Sequence, residues 1–207
     1  MKKSSFHRVG IFGGSFDPIH LGHLVIGQEI LEKKKLDAIL FMPTGISPHK
    51  KNEMAPDHKR LEWVKMSIKS NPDFRISDFE IQKEGKSYTY ETVLALQENY
   101  PDVEFSYIVG EDSILSIETW YRYKDLLSLI PFLVVRRSPK WERALEEKID
   151  LLNKNGYRVE EVDFTFLDIS STQIRNKFKE GKNPQYLLNE EVYKDIKNGN
   201  YYRSENL

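Results

Sequence analysis

The sequence contains no cysteine, which removes disulfides, thiolate metal sites and a cysteine nucleophile without fixing a compartment. Neither sign of charge is in surplus: 31 Lys and Arg stand against 32 Asp and Glu. No global field therefore recruits nucleic acid or an anionic membrane, and any basic patch must be local. No apolar run approaches the ~20 residues of a membrane span. The opening residues, MKKSSFHRVGIF, hold two lysines but no apolar signal segment before the first strand. The expectation is a soluble, cytoplasmic protein. Internal repeats, low-complexity tracts and linkers are also missing. The 207 residues are thus expected to form a single domain, an α/β core over about 1–165 followed by a helical portion over about 166–207.

What is present is concentrated near the head of the chain, where residues 9–24 read VGIFGGSFDPIHLGHL. Val9, Ile11 and Phe12 are strand formers that run directly into Gly13, Gly14 and Ser15, the pattern of a buried strand ending in a turn. Adjacent glycines permit positive φ and let backbone N–H groups approach an anion. A helix starting near Ile19 or His20 would point its positive end into the same space. His20 and His23, three residues apart on the first turn, share one face, and Gly22 between them leaves that face open. The stretch reads as a phosphate cradle. It has neither the G-x-G-x-x-G spacing of a dinucleotide fold nor the Gly-Lys-Ser/Thr of a Walker loop. Paired histidines could also bind a metal with Asp17 or His49, but no HExxH or Cys/His pattern accompanies them.

The rest of the chain alternates. A helical stripe over 21–31 leads to the apolar run AILFM at 38–42, one βαβ unit. An irregular loop over 43–56 carries Ser47, Pro48, His49 and Lys50. A helix over 58–70, capped by Asp57, places Trp63 in or near the core, and 74–81 reads as a strand with an irregularity near Asp78. Thr89 is placed to cap a helix running to about residue 100. Strands follow at 105–109, closed by Gly110, Glu111 and Asp112, and at 132–135, closed by Arg136 and Arg137. An amphipathic helix over 141–155, stopped by Gly156, a strand over 159–166 and a terminal helix over 183–198 complete the pattern, beyond which the chain looks loosely held. The expected fold is Rossmann-like: a doubly wound, mainly parallel sheet with helices on both faces and a small C-terminal helical part. In such a sheet ligands collect at the carboxyl ends of strands, where Asp112 and Arg136 stand. Ser170, Ser171 and Thr172 open a further helix with Arg175 one turn in, so hydroxyls, free N–H groups and a guanidinium converge on an anion. On spacing alone, Asp112 and these hydroxyls serve equally well as helix caps, and Trp120 as a packing residue.

GGSFDPIHLGHL resembles the HxGH nucleotidylyltransferase signature in the form used by bacterial nicotinate-nucleotide adenylyltransferases, and ISSTQIR at 169–175 resembles that family's second signature, ISST-x-IR. The Pro-His-Lys segment at 48–50, Ser-Tyr-Thr at 87–89, Gly-x-Asp at 110–112 and Trp-Tyr-Arg-Tyr at 120–123 extend the resemblance over nearly the whole chain. It implies transfer of AMP from ATP to nicotinate mononucleotide, with Mg2+ accompanying ATP and no metal held by the protein itself. It implies that Gly13, Gly14, Ser15, Phe16, His20, His23, Ser170, Ser171, Thr172 and Arg175 meet ATP, with Gly110 and Asp112 by the ribose and Arg136 nearby. Nicotinate mononucleotide would meet Ser15, Asp17, His49, Lys50, Tyr88 and Thr89, with Trp120 stacked on the pyridine ring and the Tyr121 amide on its carboxylate. His20, His23, Lys50 and Arg175 would carry the chemistry. Glu111 departs from the pattern and would add negative charge near the substrate. The partners implied are these two small molecules, with neither nucleic acid nor membrane; the sequence leaves room for a homodimer. Two alternatives stand beside this reading: a sister HxGH enzyme using nicotinamide mononucleotide or phosphopantetheine, and a non-catalytic nucleotide sensor on the same fold.

Overall fold

The centre of the sheet is the pair β1 (Arg8–Gly14) and β4 (Glu104–Gly110), whose side chains alternate between two apolar cores. The computed structural model describes residues 6–45, 54–83, 85–136, 142–165 and 167–203. Outward from β1 lie β2 (Ala38–Pro43) and β3 (Phe74–Ile76); outward from β4 lie β5 (Phe132–Val135) and β6 (Val159–Val162). The six strands run parallel in the order β3-β2-β1-β4-β5-β6. The chain winds outward from β1, then returns to β4 and winds the other way, so the switch point lies between β1 and β4.

The continuous apolar runs of these strands follow from burial on both faces. Phe12, Phe41, Ile108 and Leu133 point to one face, against α1 (Leu21–Lys33), α2 (Asp57–Ile68), α8 (Ser171–Lys179) and α9 (Glu190–Asn198). Ile11, Met42, Val109 and Phe132 point to the other, against α4 (Thr89–Asn99), α5 (Glu111–Leu115), α6 (Tyr123–Leu129) and α7 (Glu142–Lys154). Trp63 of α2 is fully buried, as the sequence suggested. The helices that follow β6 share the first core with α1 and α2, through Ile174, Phe178, Val192 and Ile196. Among the described residues no helix is long and apolar enough to cross a membrane.

Several expectations about elements are corrected: the strand read over 159–166 ends at Val162, and Asp57 is the first residue of α2, with Pro56 in the cap position. The strand read over 74–81 ends at Ile76, and a short helix, α3 (Phe79–Gln82), follows. Its apparent alternation spans a turn, which leaves Phe79 exposed. The terminal helix read over 183–198 is a 3-10 turn at Gln185–Leu187 followed by α9, because Asn189 Oδ1 accepts the N–H groups of Glu191 (2.9 Å) and Val192 (3.5 Å) and starts the helix there. Beyond α9 the chain folds back: Tyr201 N–H donates to the Ile196 carbonyl at 3.1 Å, and Tyr201 meets Trp63 edge-on.

Candidate active site

The carboxyl ends of β1 and β4 open a cleft of about 580 Å³ at the switch point. Into it face the loop from Phe12 to Phe16, the histidines at the start of α1, Tyr88 and Thr89 at the start of α4, Gly110 and Asp112 at the start of α5, Trp120 and Tyr121, and Ser170 to Thr172 with Arg175 at the start of α8. The volume lies within the range of small-molecule sites. Most residues expected from the sequence are therefore brought together.

The first loop works differently from the way its glycines suggested. Gly13 and Gly14 belong to β1; the left-handed turn falls on Phe16, at φ 46°. What Gly13 supplies is space, since a Cβ there would lie 2.2 Å from the Tyr107 hydroxyl. His20 is the N-cap of α1, and its N–H donates to His23 Nδ1 at 3.2 Å. His23 Nδ1 is thus an acceptor, which puts the proton of its neutral ring on Nε2. The two rings stack with centroids 3.7 Å apart, and both are buried yet line the cleft. Gly22 keeps this stack possible, for a Cβ there would sit 3.0 Å from His20 Nδ1.

The second motif is stitched to the first across more than 150 residues of chain. Ser170 spends its hydroxyl on the cap of α8, accepting Gln173 N–H at 3.2 Å. Ser171 Oγ donates to the Pro18 carbonyl at 2.9 Å, and Arg175 Nη1 donates to the Asp17 carbonyl at 2.7 Å. Arg175 Nη2 reaches Thr172 Oγ1 at 3.2 Å.

On the far side of the cleft, Thr89 is the first residue of α4 and not its cap; no side chain caps this helix. The first-turn N–H groups are left for a ligand. Glu80 lies behind them, its carboxyl 2.9 Å from Thr92 Oγ1. Burial drives the Glu80 pKa above its ordinary value, against the opposing pull of Thr92 and Lys83. Burial likewise raises the pKa of Tyr107, helped by Glu80 and opposed by Thr89. Trp120 faces the cleft and also meets Tyr107 edge-on at 6.1 Å. The Tyr121 ring tilts over Tyr88 at 4.7 Å.

Several residues stand elsewhere. His49, Lys50 and Arg137 lie outside the described residues. Asp17 does not line the cleft; it is buried beneath the loop, where its carboxylate accepts from Ala55 N–H (3.0 Å) and the Tyr202 hydroxyl (2.6 Å). Arg136 does not line it either, because Glu142 and Glu161 hold its guanidinium at 2.6 and 3.0 Å. Glu111 is buried outside the cleft lining and so adds no charge to its wall.

The sequence reading missed Thr44, Glu80, Ser113, Ser116 and Thr119, all on the cleft wall. Thr44 was findable, since it follows β2 at a carboxyl end. It also missed Arg60, which is fully buried and donates to the carbonyls of Ser15 (2.5 Å) and Thr44 (2.6 Å) and to Asp57 (2.6 Å). Nothing local in the sequence of α2 marks that role.

A family model described as cytidylyltransferase-like matches residues 11–177. The nicotinate-nucleotide adenylyltransferase of Bacillus subtilis is 38% identical over 204 residues, covering 95% of this chain and 99% of that relative. A protein of Exiguobacterium sibiricum named probable nicotinate-nucleotide adenylyltransferase is 37% identical over 195 residues, covering 94% and 98%. Among solved structures, the Plasmodium falciparum nicotinic acid mononucleotide adenylyltransferase complexed with NaAD superposes with a TM-score of 0.77 at 19% identity, covering 95% of this chain and 97% of that one. The last likeness concerns the fold.

Proposed function

This chain belongs to the cytidylyltransferase-like family and, within it, to the nicotinate-nucleotide adenylyltransferases, and on that footing we propose how its cleft works. The reaction transfers the adenylyl group of ATP to the 5′-phosphate of nicotinate mononucleotide. An oxygen of that phosphate attacks the α-phosphorus in line, a new P–O bond forms, and the bond from the α-phosphorus to the leaving pyrophosphate breaks. The nucleophile is already an anion at neutral pH, so no protein nucleophile is required. Catalysis is positioning and charge neutralisation.

The observation that carries this reading is the convergence of the stacked His20–His23 pair with Arg175 and the α8 hydroxyls on one cleft, although the two motifs lie far apart in sequence. His23 Nε2–H and His20 donate to the phosphates as charge moves to pyrophosphate. Arg175, Thr172 and the N-terminus of α8 hold the β- and γ-phosphates, with Lys50 assisting, and Asp112 accepts from the ribose hydroxyls. The uncapped start of α4 and the Tyr121 amide receive the nicotinate carboxylate, with the Trp120 ring on the pyridine. We place the buried Thr44 hydroxyl, which has no hydrogen-bond partner among the described residues, against the substrate in this half of the cleft. Asp17 positions the loop and does not touch the mononucleotide.

Magnesium enters as part of the ATP substrate. The cleft presents N–H, hydroxyl and guanidinium donors, which suit phosphate oxygens. Among the described residues no group of three or more His, Cys, Asp or Glu is gathered that could hold an ion. Magnesium brought in with ATP would be held by phosphate oxygens and water and would supply neutralisation of charge on the triphosphate.

Pyrophosphate release from magnesium ATP, with nicotinate mononucleotide and its amide compared at equal concentration, tests this reading. A strong preference for the acid is expected. Equal rates would remove the carboxylate site at α4, and no release with either would remove the adenylyl transfer.

A further inference from the structure

The sequence reading left the residues after α9 loosely held, yet Tyr202 is inserted beneath the catalytic loop. Its hydroxyl donates to Asp17 Oδ1 at 2.6 Å, and its ring lies 6.0 Å from that of Trp63 and 6.3 Å from that of Phe178. The insertion bends the backbone into a conformation that an L-residue with a bulky side chain seldom adopts: φ is 65° at Tyr202 and 53° at Asn200. Asn tolerates the left-handed region, whereas an aromatic residue there is strained and persists only where its surroundings over-determine it. Gly199 lets the return be tight, because a Cβ there would lie 2.4 Å from the Tyr201 ring.

The anchor of this tail is a carboxylate with a divided task. Asp17 Oδ1 takes the Tyr202 hydroxyl and the Ala55 N–H, while Oδ2 stands 3.6 Å from Arg175 Nη1, the same nitrogen that donates to the Asp17 carbonyl. Burial, and the charge and hydrogen bond of Asp17, hold the phenol pKa far above its ordinary value, so Tyr202 stays a donor. With Oδ1 occupied, the carboxylate keeps Arg175 at a distance longer than a direct charged hydrogen bond. The guanidinium stays directed by Thr172 and the loop carbonyl, on the wall of the cleft.

We propose that Tyr202 is a positioning residue for Arg175: by occupying Asp17 Oδ1 it prevents the carboxylate from closing on the guanidinium and drawing it away from the phosphates. The inference rests on the adenylyl-transfer reading only in giving Arg175 its phosphate partner. Loss of the hydroxyl lets Asp17 turn toward Arg175 and form a direct pair. The Tyr202→Phe variant removes one oxygen and keeps the ring between Trp63 and Phe178, so the fold is retained.

The test is a double-mutant cycle with Y202F, R175K and the pair, read in kcat and in the affinity for magnesium pyrophosphate by calorimetry. Y202F is expected to lower both by roughly tenfold, the scale of a lost hydrogen bond to a charged group. In the R175K background the same change is expected to have little further effect, because the group it positions is gone. Unchanged kcat and affinity in Y202F, or an equal proportional loss in both backgrounds, would overturn the proposal and leave Tyr202 a packing residue. A wild-type protein that releases no pyrophosphate would overturn the transfer reaction, while the calorimetric cycle would still decide the role of Tyr202. Should melting show Y202F unfolded, D17N is added to it: the neutral amide no longer draws Arg175, so the double variant is expected to bind magnesium pyrophosphate as tightly as D17N alone, and a tenfold loss relative to D17N would overturn the proposal.

Discussion

Glu80 shows how one side chain can tie chemistry to stability. Its carboxyl is buried under the α4 end of the cleft, and burial raises its pKa above the ordinary 4.5. Below that value both folded and unfolded chains hold the proton. Above it the unfolded chain releases the proton first, so the folded state binds more protons and stability falls as pH rises through the folded pKa. Glu80→Gln cannot titrate. The melting temperature of the wild type, relative to that of E80Q, should therefore decline as pH rises from the ordinary carboxylate value through the raised value of the folded state. A constant difference across that range would mean that Glu80 ionises in the fold without cost. The residue was invisible to sequence reading, because 74–81 read as a strand. Its place is set by the turn after Ile76, where Ser77 N–H donates to the Phe41 carbonyl at 2.9 Å. The histidines were the opposite case, since a spacing of three on a helix start dictates a shared face wherever that helix lies.

At the scale of elements, α2 holds the cleft open from behind. Arg60 is three residues after Asp57 on that helix, and its guanidinium spans the carbonyls of Ser15 and Thr44, one from the loop after β1 and one from the loop after β2. Arg60→Ala would leave two loop carbonyls without their charged donor. It should cost on the order of 3 kcal/mol in urea unfolding, with a larger fractional loss of kcat than of ATP binding. Arg60→Lys should recover part of both, because a single ammonium cannot reproduce the planar fork. A stability change below about 0.5 kcal/mol for Arg60→Ala would show that the loops hold themselves. The sequence disclosed α2 as a helix, and nothing in its local pattern singles out Arg60. Only the seating of α2 against β2 made it interior.

At the scale of the whole molecule, we propose that the chain is one nucleotidylyltransferase domain with no separable C-terminal part. Ile174, Phe178, Val192 and Ile196 lie in the same apolar core as Phe12, Ile30 and Trp63, so the helices after β6 cover one face of the sheet. Thermal unfolding followed by far-ultraviolet circular dichroism and by tryptophan fluorescence should give one coincident transition. Two separated transitions would mean that α8 and α9 melt independently of the sheet. Tyr202 belongs to this scale as well, since the chain must cross the whole of this core before its hydroxyl reaches a loop at the other end of the sequence.

The sequence by itself determined whatever depends on neighbours along the chain: the strands, from runs of β-branched and aromatic residues; the pairing of His20 with His23; and the gathering of Ser170, Ser171, Thr172 and Arg175 on one helix start. These follow from the helix and strand periods, which hold in any surroundings. The tertiary structure alone decided which groups from distant segments meet. It placed Ser171 on the Pro18 carbonyl, Arg60 beneath two loops, Asp17 away from the cleft and Arg136 between two glutamates. It also gave Gly13 a steric role beside Tyr107 in place of a conformational one. Strand order and helix seating are set by the joint burial of both sheet faces, a property of the packed whole that no local pattern encodes.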